Sequence, residues 1–167
     1  MKAKRLTELA LLTALASIIF IVELHLPNLS PVPGVKLGLA NIITVYAVYR
    51  FKAYETALIV AARVLIGSMF SGNLSAVIYS LSGAVMCLIG MLFIRKMIPV
   101  KYIWLCSIIG AIFHNLGQIT AAVIVMKTTA VISYLPILIC SGCIAGAFTG
   151  ICAGLVLSRK PSEKIKN

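Results

Sequence analysis

The groups able to bind or move charge are few in this 167-residue chain, and they are unevenly placed. Arg63 interrupts an apolar run between Ala53 and Phe70, while His114, Asn115 and Gln118 interrupt another between Tyr102 and Met126. Asn41 lies early in a third run, Glu23 closes the first, and Lys36 sits in the connection between them. His114 and Gln118 are four residues apart, so on a helix they share a face. Asn115 falls one position off that face, which suits a structural hydrogen bond. A guanidinium grips a carboxylate or phosphate through a rigid fork of donors, and amides and imidazole bond the polar edge of the same ligand. That is binding chemistry rather than catalysis. The same residues also admit a structural role, with Arg63 paired to Glu23 and the others bridging helices by hydrogen bonds.

Several chemistries are excluded. The sequence contains no aspartate, and its acids are Glu8, Glu23, Glu55 and Glu163. An aspartate-rich magnesium–diphosphate site of the prenyl-transferase kind cannot be built from these. No G-x-x-x-x-G-K-[ST] loop is present, so ATP hydrolysis by that route falls to a partner if uphill transport is involved. Cys140-x-x-Cys143 stands without a second pair or a nearby histidine, which makes a poor zinc site. With Cys87, Cys106 and Cys152, these cysteines read as small hydrophobes inside apolar runs. No catalytic residue, metal or cofactor is expected.

The elements that position these groups follow from composition. Mean hydropathy is +1.08, with 61% hydrophobic and 11% charged residues, against about 25% charged in a soluble domain. Too few charges remain to cover a water-facing surface, so the chain reads as an all-α integral membrane protein. Apolar stretches of about 6–24, 37–49, 53–70, 74–94, 102–126 and 134–157 predict six transmembrane helices in one domain spanning 1–167. The second is the weakest. As a helix it is short of the ~30 Å hydrocarbon core, and the preceding segment His25–Gly34, rich in proline, is expected to fill the missing depth. The N-terminal run resembles a signal peptide, but its length and the runs that follow make it the first span.

Twelve of the fifteen basic residues fall on one side of this arrangement, against Lys36 and Lys127 on the other, with Arg63 inside a span. The positive-inside rule then places both termini in the cytoplasm of a plasma-membrane protein. The net charge of +11 is therefore topology and not nucleic-acid binding. Tyr46, Tyr49, Tyr54, Tyr102 and Trp104 fall near the inner interface, as an aromatic belt would. By depth, His114 lies near the middle of its span, and Arg63, Asn41, Gln118, Lys36 and Glu23 fall further out, so nearly all these groups gather in the outer half. Three spans contribute, as an outward-facing small-molecule cavity requires. Glu8 and Glu55, near the inner ends, read as snorkelling or capping groups.

Small residues mark packing faces. Gly142, Gly146, Gly150 and Gly154 recur every fourth position and predict a close approach within the bundle. Ala10 and Ala14, beside Thr13 and Ser17, form a similar stripe on the first span, which suits a partner subunit.

Three segments taken together, PVPGVKLGLANI (Pro31–Ile42), ARVLIGSMFSG (Ala62–Gly72) and HNLGQ (His114–Gln118), resemble the Gx transporter family, also described as heptaprenyl diphosphate synthase component I. The likeness covers nearly the whole chain in order and spacing. That family in turn looks like the S-components of energy-coupling factor (ECF) transporters. The resemblance implies a six-helix bundle that captures a micronutrient outside and docks through Ala10 and Ala14 on a membrane scaffold joined to two cytoplasmic ATPases. It also implies a lid at His25–Gly34 and toppling of the whole subunit in the bilayer.

The expected function is thus a substrate-binding subunit of an ECF-type importer, taking a small ligand with a carboxylate or phosphate on a hydrophobic body. A membrane companion of a separate prenyl diphosphate synthase is the alternative, and a proton-coupled carrier using His114 and Glu23 is a third.

Overall fold

The computed structural model describes residues 3–25, 38–71 and 74–159, and their regular structure is helical throughout. In chain order the helices are α1 (Ala3–His25), α2 (Asn41–Arg50), α3 (Ala53–Ser71), α4 (Leu74–Ile94), α5 (Ile103–Met126) and α6 (Leu135–Arg159). Single 3-10 turns at Val100–Tyr102 and Ala130–Tyr134 lead into α5 and α6. Five of the six helices are long and apolar enough to cross a membrane, α2 being the exception. The chain is thus a multi-pass membrane protein.

The second of the six expected helices, already the weakest in sequence, is the short one. Its ten residues rise about 15 Å at 1.5 Å each, half of what a bilayer crossing requires. Its surroundings explain how so short a helix is stable. It packs against α1, α3, α4, α5 and α6, and Val45, Ala47 and Val48 are sealed from all contact with the surroundings. It is the core of the bundle, not one of its walls. Tyr46 shares that fate: it is buried edge-on against Phe51, 6.5 Å between ring centroids, and belongs to no interfacial belt. Tyr54, Tyr102 and Trp104 do lie on the surface.

α5 is the structural spine, with its most extensive contacts to α4 and α6. The glycine stripe of α6 makes the second contact possible. A Cβ at Gly146 would lie 2.8 Å from Ile108 Cα, and one at Gly150 would lie 2.5 Å from Trp104 Cα. Gly142 faces the Asn115 amide and Gly154 faces Ile103. Across the same seam Ser107 and Thr149 share a 2.9 Å hydrogen bond, and Asn115 Nδ2 donates to the Leu138 carbonyl. On the other side, Gly83 and Gly117 bring α4 onto α5, and Ser82 Oγ donates to the Gly117 carbonyl at 2.8 Å.

α1 lies mainly on α3. It buries Leu9, Leu12, Ala16 and Phe20, and its opposite face presents Leu11, Leu15, Ile18 and Val22 together with Ala10 and Ala14. An apolar face of that kind suits a lipid bilayer.

Candidate ligand-binding site

The C-terminal part of α1, the N-terminus of α2 and the middle of α3, α4 and α5 converge on a small polar cleft. Its polar lining is Glu23, Asn41, Arg63, Ser80, His114 and Gln118, with Phe20, Ala40 and Val64 as its apolar wall. All six polar residues are buried, Gln118 to 1% exposure and Arg63 to 3%.

Local backbone geometry assembles it. Gly38 adopts φ +76, which turns the chain into α2, and its carbonyl accepts the Asn41 N–H at 2.9 Å. The Gly38 N–H donates to Glu23 Oε1 at 2.5 Å, tying the end of α1 to the start of α2. Only glycine fits here, because a Cβ would stand 2.7 Å from Asn41 Nδ2 and 3.5 Å from the His114 ring. Asn41 Oδ1 accepts from both Arg63 Nη1 and Nη2 at 3.3 Å. On the far wall Gly83 lets α4 approach so closely that a Cβ would meet Gln118 Cγ at 2.8 Å and the His114 carbonyl at 2.9 Å.

Polar satisfaction is incomplete. Arg63 Nε, His114 Nδ1 and Gln118 Oε1 are buried without a hydrogen-bond partner among the described residues. Leaving such groups dry costs about 1–3 kcal/mol each, and more for a charged one. The cleft these residues line has room for roughly one water molecule, so any larger ligand must displace side chains or part helices to enter. The Phe20 ring forms part of the apolar wall and packs closely over Gly67 of α3.

A second polar cluster occupies the other end of α1. Glu55, 1% exposed, receives Arg5 Nε and Nη2 in two parallel bonds of 2.6 Å. It also accepts the Lys52 N–H at 2.9 Å, the reach-back half of a capping box at the start of α3. The Arg5 guanidinium lies 5.5 Å from the Phe51 ring centre. Nearby, Arg50 approaches Glu8 at 4.0 Å, and Arg95 donates to the Val48 carbonyl at 2.6 Å. Glu55 is thus a cap, but a buried and ion-paired one rather than a snorkelling group.

Of the residues singled out in the sequence, Glu23, Asn41, Arg63, His114 and Gln118 come together in one cleft. Lys36 lies outside the described residues, as does most of the His25–Gly34 segment. Ala10 and Ala14 are exposed on α1 and do not line the cleft. Sequence reasoning missed Gly38, Phe20, Ser80 and Gly83. The first was legible in principle, since it stands three residues before Asn41 at a helix start; the others depend on which helices meet.

A family model described as heptaprenyl diphosphate synthase component I matches residues 12–156. The chain belongs to that family. The match takes in every residue that lines the cleft. No curated protein and no solved structure shows a significant match to the chain.

Proposed function

We propose that this chain is a non-catalytic membrane subunit that holds a small ligand in the Arg63 cleft and works with a separate partner protein. The observation that carries the proposal is the desolvated Arg63, whose unpartnered Nε belongs to a cleft also lined by His114 and Gln118, each with an unpartnered polar atom of its own. A buried guanidinium costs several kcal/mol in lost hydration unless its hydrogen-bonding capacity is filled. The single asparagine oxygen on its outer nitrogens fills little of it. Intramembrane ionisable groups in this condition are functional candidates by default. The ligand combines a polar head for the cleft with an apolar body against Phe20 and Val64.

The family description supports a companion of a prenyl diphosphate synthase as the partner relationship. With no aspartate in its sequence, the chain would anchor or feed that synthase rather than perform prenyl transfer. The ECF-type importer is the second reading, supported by the exposed Ala10 and Ala14 on an otherwise lipid-suited face of α1. In that reading the cleft faces outward, both termini are cytoplasmic, and a scaffold with two ATPases supplies the energy.

Affinity purification of the tagged chain from its native membrane in mild detergent separates the two. A co-purifying soluble prenyl synthase supports the companion role, and a membrane scaffold with two ATPases supports the importer. Ligand holding is tested on its own by Arg63→Ala, which is expected to abolish saturable binding; unchanged affinity would remove Arg63 from the site.

A further inference from the structure

The chemical groups left open in the cleft constrain the ligand further than a single cation does. Arg63 Nε–H is a donor without an acceptor, whereas Gln118 Oε1 is an acceptor without a donor. His114 Nδ1 takes either role according to its tautomer. The formal charges point the same way, because the Glu23 carboxyl lines the cleft together with the Arg63 guanidinium. Arg63 does not face the cleft as an isolated positive charge.

We infer that the ligand's recognised end is a compact head carrying a hydrogen-bond donor beside an acceptor, of the primary-amide kind, and not a phosphate or diphosphate. This rests on the ligand-holding reading above and names the substrate class of that same cleft. A carbonyl oxygen accepts from Arg63 Nε, and the adjacent N–H donates to Gln118 Oε1. Both open groups are then filled by one small planar head. A fully ionised phosphate fills only the first. It offers no donor to Gln118 and brings two negative charges beside Glu23, in a space where neighbouring charges interact strongly. The dimensions agree: the cleft has room for little more than a water, so a head of few atoms enters with the least displacement of Phe20.

The test is a headgroup series on one branched five-carbon body, titrated against the purified full chain in detergent and followed by thermal unfolding. Isovaleramide, isovalerate and isopentyl diphosphate differ at the head alone. Isovaleramide is expected to protect the fold at a concentration roughly tenfold below either anion, in line with one additional buried hydrogen bond. Gln118→Met is expected to erase that preference, the amide losing roughly tenfold relative to the anions. If isopentyl diphosphate binds most tightly and Arg63→Ala abolishes its effect, the cleft is a binding site and the headgroup inference is overturned. If no member protects the wild-type chain, both the inference and the ligand-holding reading fall. The wild-type series decides the preference even if the Gln118 variant fails to fold.

Discussion

The two polar clusters at opposite ends of α1 use the same residue types to opposite effect. Arg5 and Glu23 are eighteen positions apart on one helix, about 27 Å by helical rise. At the Arg5 end, the Glu55 carboxylate receives two guanidinium bonds of 2.6 Å and a backbone N–H, and a ring lies beside the cation. At the Glu23 end, Arg63 makes two 3.3 Å contacts to one amide oxygen, and its Nε is left over. One arginine locks helices together; the other is held ready at a small open space. Exposure differs too, since the Arg5 side chain is 41% exposed and Arg63 is buried, but each cluster hides a charged group, Glu55 in one and Arg63 in the other. What separates those two buried charges is satisfaction. A cluster whose hydrogen bonds are complete stabilises the fold, and one with matched donors and acceptors left open keeps capacity for something else.

This contrast predicts that stability and ligand binding divide between the two ends. The largest loss is expected for Glu55→Ala, which removes both Arg5 bonds and leaves the Lys52 N–H without its acceptor. A destabilisation of about 3 kcal/mol from the lost charged hydrogen bonds, read by thermal or denaturant unfolding in detergent, should come with unchanged ligand affinity in the protein that remains folded. Gly38→Ala comes next. It forces a left-handed backbone on alanine and drives a Cβ toward Asn41, so a cost of about 2 kcal/mol is expected, together with loss of binding. That combination would break the contrast at one residue, because Gly38 serves both the turn and the cleft.

A smaller effect is expected for Arg5→Lys, which keeps the charge and loses the fork. About 1 kcal/mol of stability should disappear, again without a change in binding. The smallest is expected for Arg63→Met. Replacing an incompletely bonded buried cation with a similar apolar volume should move stability by no more than about 1 kcal/mol in either direction, while binding is lost. A large destabilisation by Arg63→Met with ligand affinity intact would show that the two arginines do the same work, and the contrast would fail.

Much of the cleft could be read from residue types and spacing. The four-residue interval brings His114 and Gln118 to one face, and the depth of Arg63 in its apolar run sets it near them. Asn115, one position off, donates to α6 at Leu138, as an off-face amide should. The glycine interval on α6 announced a close contact, and its neighbour proved to be α5. The helix boundaries follow hydropathy closely except at α2.

What escaped the sequence depended on neighbours. Phe20 and Val64 look like ordinary apolar residues until α1 and α3 meet over the cleft. Glu55 carries no mark that separates a snorkelling carboxylate from a buried one, since its partner Arg5 is fifty residues away. Tyr46 reads as interfacial because hydropathy reports depth along a span but not which side of the helix faces lipid.

The sequence by itself determined that the chain is helical and membrane-embedded, because too few charges exist to cover any other surface. It also determined the inventory of groups available for chemistry, and the absence of aspartate follows the protein into any fold. Only the tertiary structure decided that the ten-residue α2 is enclosed by the other five helices, and which buried polar atoms find partners. The physical reason is that hydropathy and helical periodicity are local properties of the chain, summed over neighbours in sequence. Hydrogen-bond satisfaction is a property of pairs distant in sequence, and it exists only once the helices have met.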